Sequence, residues 1–259
     1  MAQSISRTNS LLLRMACLVL VFSGCGEPDG SIENSGIAEN RPAQLRIASL
    51  SPAMTTIAID LGLGERIVGC TPFCRGLEAP VPVVGSLEDV DAEVLIRLKP
   101  SVLLLQPGAG GADPALVELG ARLGFTIVQQ RLDTLGDVQE AIRKIGAVCV
   151  ADEDSARVQE LCSRIAALQS EGDPQGPRTI LLYSVEPLGA AGEDTYLDEV
   201  LTAAGGRNIL GRSGWVELSV EELLARDPDV VVVFARSAPE SLGALPWART
   251  PRVLVIDSP

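Results

Sequence analysis

Two glutamates, Glu93 and Glu221, stand 128 residues apart in the same local sequence, and paired carboxylates are the plainest chemistry the chain offers. Each precedes a proline by seven residues (Pro100 and Pro228), and two residues beyond each proline an aliphatic run begins, Val102-Leu-Leu-Leu105 and Val230-Val-Val-Val233. Carboxylates at equivalent places on duplicated halves present a pseudo-symmetric pair to a dimeric partner. Charge-assisted bonds to arginine would then set register and association rate more than raw affinity. The alternative is that each glutamate only caps or solvates its own helix. A single copy would favour that alternative; the duplication favours a partner.

Other chemistry is thin. The 259 residues include no histidine, which removes the usual base from a serine or cysteine triad. There is no Gly-x-Ser-x-Gly elbow, Gly62, Gly64 and Gly69 do not fit a dinucleotide fingerprint, and Gly108-Ala-Gly-Gly111 lacks the lysine of a phosphate loop. An enzyme is not expected. Cys70, Cys74, Cys149 and Cys162 form an even set in a chain expected to be exported, which permits three pairings and one or two disulfides. Cys70 and Cys74, four apart, suggest a metal site, but no second close pair follows and no histidine completes it. No metal site and no cofactor are expected.

The elements that must carry these groups follow from the same repeat. A short helix with apolar residues three and four apart ends before proline, whose ring cannot continue it and whose predecessor is pushed extended. The aliphatic run is then a strand, and its lack of alternation means burial on both faces, as in a parallel sheet covered by helices. Two such units predict an α/β protein of two Rossmann-like lobes with central parallel sheets. In the first lobe, strands are expected at 45–50, 66–69 and 125–129, and helices after Ser51-Pro52 and over 116–123. In the second, strands are expected at 178–184 and 252–257 and a helix at 196–204, stopped by Gly205-Gly206. Between them, Val138, Ile142 and Ile145 mark one helix; Val158, Leu161, Cys162, Ile165 and Leu168 mark a longer one, closed by Gly172-Asp-Pro174. A rigid connecting helix favours a preformed cleft over a wide hinge motion.

The first 24 residues read as an address. Arg7 and Arg14 flank the apolar run Met15 to Ser23, and Phe22-Ser-Gly-Cys25 resembles a bacterial lipoprotein signal, making Cys25 the acylated first residue of a membrane-anchored chain. An ordinary secretory signal or a single-span anchor is the alternative, although the run falls short of the ~20 residues a spanning helix needs. Without those residues the chain has 19 basic and 34 acidic side chains, a net charge of −15, so nucleic acid is not an expected partner. Residues 25–44 have turn formers without hydrophobic period, as in a tether. The expected organisation is signal 1–24, tether 25–44, first lobe 45–148, connecting helix 149–174 and second lobe 175–259.

In order, Arg46-Ile-Ala-Ser-Leu-Ser-Pro52, Leu61-Gly-Leu-Gly-Glu-Arg-Ile-Val-Gly69, the duplicated Glu-to-Pro unit, Thr195-Tyr-Leu-Asp-Glu-Val-Leu201, Ala204-Gly-Gly-Arg-Asn-Ile209 and Pro246-Trp247 carry a resemblance. They are similar to the periplasmic substrate-binding proteins of ABC importers for vitamin B12, ferric siderophores and haem. Val68-Gly-Cys-Thr-Pro-Phe-Cys74 and Leu188-Gly-Ala-Ala-Gly-Glu-Asp194 look most like the vitamin B12 branch.

The resemblance implies a monomeric receptor on the periplasmic side of the cell envelope, holding a small metal chelate between its lobes and passing it to a permease dimer. It places Glu93 and Glu221 at the positions that dock into permease arginines. It places Ser51, Pro52, Phe73, Ser86, Leu87, Gln106, Tyr183, Glu186 and Trp215 on ligand-facing segments. A broad, flat corrin needs aromatic faces and a few orienting polar groups, and Phe73, Tyr183 and Trp215 supply the faces. Leu87 and Gln106 depart from the pattern by standing where B12 binders carry tryptophans. Relative to the family, the sequence stops at Pro259 where a further stretch and a terminal helix are usual, so the expectation is either a truncated second lobe or one that stands with one sheet face uncovered.

Overall fold

The computed structural model describes residues 45–108, 110–150, 156–169, 172–235, 240–243, 245–247 and 249–256. Cys25 and the tether lie outside them. Among the described residues no helix is long and apolar enough to cross a membrane.

The first lobe is built on strands β1 (Ile47–Ser49), β2 (Ile67–Cys70), β3 (Val102–Leu105) and β4 (Thr126–Gln129). All pairs are parallel, in the order β2-β1-β3-β4. Helix α1 (Pro52–Asp60) starts as its sequence demands: Ser51 caps it by accepting the Met54 amide, and proline fills a first-turn position whose N–H would have no partner. Helices α2 (Ala92–Leu98) and α3 (Pro114–Leu123) follow, then α4 (Leu135–Cys149) and α5 (Ala156–Ala166).

Burial explains the unbroken aliphatic run. Val102 and Leu104 enter one core with Ile47, Met54 and Ile57 under α1, α4 and α5, whereas Leu103 and Leu105 enter a second with Val94, Leu95, Leu116 and Phe125 under α2 and α3. A strand covered on both faces has no side on which a polar residue would be tolerated.

The second lobe repeats the four-strand plan. Its strands are β5 (Arg178–Val185), β6 (Leu188–Ala191), β7 (Arg207–Asn208), β8 (Trp215–Glu217), β9 (Val230–Phe234) and β10 (Arg252–Ile256), with α6 (Tyr196–Ala203), α7 (Val220–Ala225) and α8 (Glu240–Gly243). Strands β7, β5, β9 and β10 pair in parallel as β2, β1, β3 and β4 do. Here the expectation of a purely parallel sheet is corrected. Strands β6 and β8 add to it antiparallel, so the second sheet is mixed. The physical reason is the short turn at Glu186-Pro187, since two residues connect only antiparallel neighbours. Beyond α6, one face of this sheet carries the half-buried Val230, Phe234, Leu254 and Ile256, and Val255 is exposed.

The duplicated unit is duplicated in three dimensions. Asp91 caps α2 by accepting from Val94 N, and Ser219 caps α7 by accepting from Glu222 N, which makes Glu93 and Glu221 the second residue of their helices. Both are exposed, and both prolines are buried. The residues before the prolines, Lys99 and Asp227, both take left-handed backbone, φ 48° and 43°, so the chain leaves the two helices in the same way.

The connection between lobes is a helix pair. Helix α5 has one apolar stripe, as the 3, 4, 7, 10 spacing requires, and lays it on α4 and the first-lobe core: Val158 sits over Gly146, and the Gln139 Nε2 donates to Cys162 O at 2.8 Å. The longer of the two is α4, with 15 residues against 11.

Candidate functional site

Four strand ends of the first sheet lead to the candidate groups. Beyond β1, the Ser51 hydroxyl donates to Gln106 Oε1 beyond β3 at 3.1 Å, across 55 residues of sequence. Ser51 is buried, held also by its capping bond to Met54 N (3.2 Å), while Pro52 beside it is exposed. Beyond β2, Phe73 is 64% exposed. Ser86 and Leu87 lie in a turn that Ser86 closes, its amide bonded to Asp89 O at 2.9 Å and its hydroxyl accepting from Asp89 N at 3.3 Å.

Beyond β4 the first lobe meets the second. Asp133 O accepts from Tyr196 N (2.6 Å), Asp133 Oδ1 accepts from the Trp215 indole (3.3 Å), and Glu199 Oε2 accepts from Leu135 N (2.5 Å). Arg131 pairs with Asp133 at 2.5 Å. Trp215 lies between two tyrosines, 5.4 Å from Tyr183 edge to face and 5.4 Å from Tyr196 at a tilt, the offset geometry aromatic rings prefer. The Tyr183 ring packs over Gly189, where an added methyl would stand 2.5 Å from its Cζ, so a side chain there would displace the ring. Tyr183 and Trp215 remain 39% and 38% exposed, apolar faces left open at the seam.

Of the residues singled out in the sequence, two groups are thus assembled, Ser51 with Gln106 and Tyr183 with Trp215. Phe73, Ser86, Leu87 and the exposed Glu186 stand apart from both, without a hydrogen bond or ring contact to either group among the described residues. Asp133, Arg131 and Tyr196 were missed. Asp133 carried a usable signal, since it sits just past the end of a parallel strand, where α/β sheets place their sites.

The disulfide expectation is corrected: Cys70, Cys74, Cys149 and Cys162 are all free thiols. Burial, with Cys74 adding to it, pushes the Cys70 thiol up to about 12, and burial pushes Cys149 up to about 11, so both stay protonated and poorly nucleophilic at neutral pH.

Away from the seam, an open cavity of about 270 Å³ lies between α6 and β7, lined by Asp173, Glu193, Asp198, Thr202 and Asn208 among others. It is smaller than the roughly 300–1,000 Å³ of drug-sized ligand sites. Burial, aided by Glu193, Asp194 and Glu199 and opposed by a hydrogen bond to Asn208, raises the Asp198 carboxyl. The folded chain therefore holds this proton more tightly than the unfolded chain. The stability it contributes is present at low pH and is lost as pH rises through the folded value. Asp198→Asn is expected to raise Tm at pH 7, with the gain vanishing at low pH where the aspartate is protonated in both states, as followed by thermal melts across pH.

A chain of two duplicated α/β lobes with polar and aromatic groups at their facing strand ends belongs to the class of two-lobed solute receptors. Residues 47–245 match the periplasmic binding protein family, and the chain belongs to it. Vitamin B12-binding protein of Photorhabdus laumondii is 29% identical over 201 residues, covering 74% of this chain and 71% of the relative. That of Yersinia pestis is 29% identical over 206 residues with the same coverage. Among solved structures, the periplasmic haem-binding protein HutB of Vibrio cholerae shares the fold at TM-score 0.66 and 24% identity, covering 83% of this chain and 90% of its own. The vitamin B12 binding protein BtuF of Vibrio cholerae does so at 0.56 and 24%, covering 73% and 76%. The chain is a binding protein and not an enzyme, its family is periplasmic, and what such a protein holds is a transported ligand rather than a cofactor.

Proposed function

We propose that this chain is the lipid-anchored receptor of an ABC importer, capturing a corrinoid between its lobes and delivering it to the permease dimer. Cys25 carries the lipid. Tyr183 and Trp215 supply the flat apolar face that a macrocycle needs, and Ser51 and Gln106 supply orienting polar groups on the opposite lobe. The observation that carries the reading is the seam itself, where an aromatic cluster on one lobe is pinned by Asp133 of the other. Vitamin B12-binding relatives support the choice of ligand.

A haem or ferric siderophore is the second reading. It is favoured by Leu87 and Gln106, which leave the candidate site less aromatic than the B12 pattern. Corrinoids and haem absorb visible light, so mixing each with the purified chain tests both. A saturable spectral shift with cobalamin supports the corrinoid; a shift with haem or a ferric chelate alone supports the second reading. No shift with any of them would leave an anchored scaffold without a ligand.

A further inference from the structure

The cysteines that sequence sets four apart are gathered around one threonine at the end of β2. A turn closed by Cys74 N to Thr71 O (3.3 Å) folds the chain back on itself. Cys70 Sγ then donates to Thr71 O at 3.3 Å, while Cys74 Sγ lies 3.3 Å from Thr71 Oγ1 and 3.1 Å from Thr55 Oγ1 on α1. Both thiols therefore border Thr71, Cys70 through its carbonyl and Cys74 through its hydroxyl. Cys70, Thr55 and Thr71 are buried and Cys74 is half-buried, so the cluster is reached through Cys74.

We infer that Cys70 and Cys74 form a binding site for a soft, thiophilic divalent cation, with the Thr55 and Thr71 hydroxyls as flanking oxygen donors. Two sulfurs each at about 2.3 Å from a metal, at a tetrahedral angle, stand roughly 3.8 Å apart. Both thiols already border Thr71, so a cation entering at Cys74 meets both within one turn of chain. Hard cations are rejected, because calcium requires six to eight oxygen ligands and magnesium a near-ideal octahedron, whereas thiolates select soft ions. Binding replaces both S–H bonds by metal–sulfur bonds and sends two protons to solvent. Two thiolates on a divalent ion are neutral together, and a neutral unit is tolerated where an unpaired charge is not. The arrangement needs no histidine, which is why the absence of that residue does not exclude it.

The test titrates the reduced full chain with Cd²⁺ alone and follows sulfur-to-cadmium charge-transfer absorption in the ultraviolet. One Cd²⁺ per chain is expected, with affinity weakened at least 100-fold in Cys70→Ser and in Cys74→Ser and unchanged in Cys149→Ser. Cys74→Ala, at a half-buried position, provides a second variant if Cys70→Ser does not fold, and circular dichroism checks each. Absence of the absorption band, or a band undiminished in the Cys74 variants, would overturn the site.

Discussion

Replacing Glu93 and Glu221 together by alanine is expected to abolish uptake of the ligand in cells while leaving its affinity for the purified receptor unchanged. Each glutamate is the second residue of a short helix, exposed, and capped by a neighbour rather than by itself. Losing either therefore removes no capping bond from its own helix. In the second copy the bond back to the capping residue is made by Glu222, whose carboxylate accepts from Ser219 N at 3.0 Å, which leaves Glu221 free for a partner. Truncating one member of a buried, hydrogen-bonded charge pair costs about 2–5 kcal/mol, so losing both carboxylates is expected to weaken a complex with the permease by roughly a thousandfold or more. Single variants are expected to retain partial uptake. Transport assays beside an equilibrium binding measurement separate docking from capture, and full uptake by the double variant would remove the docking role.

Trp215→Ala is expected to weaken ligand binding by about 30-fold or more, the cost of truncating a central tryptophan of about 2 kcal/mol or above. Two losses combine there: the ring face left open between Tyr183 and Tyr196, and the indole bond that pins the second lobe to Asp133. Trp215→Phe keeps most of the face and loses only the bond, so it should fall between the wild type and alanine. An affinity unaffected by both substitutions would place the ligand elsewhere.

The parts of this molecule that were legible in its sequence are those in which one physical rule acts alone. Val102-Leu-Leu-Leu105 and Val230-Val-Val-Val233 could only be strands buried on both faces, and Ser51-Pro52 could only begin a helix. The small residues Leu188-Gly-Ala-Ala191 gave no such signal. They were assigned no element, yet they form the strand that turns the second sheet mixed, because its pairing is dictated by the short turn before it and not by its own preferences. Candidate site residues could be named from the sequence one at a time but not as partners. Ser51 and Gln106 are joined only by the strand order, and Asp133 meets Trp215 only because the two lobes abut. Cysteine number suggested disulfides; distance and geometry, which the sequence does not carry, leave the four as thiols.

One large ligand is expected to be held at the seam between the duplicated lobes. Equilibrium dialysis of the purified chain against cobalamin, and in parallel against haem and a ferric siderophore, measures this directly. One molecule bound per chain, lost in Trp215→Ala and retained in the Glu93/Glu221 double variant, is the expected result; no retention of any of the three would contradict it.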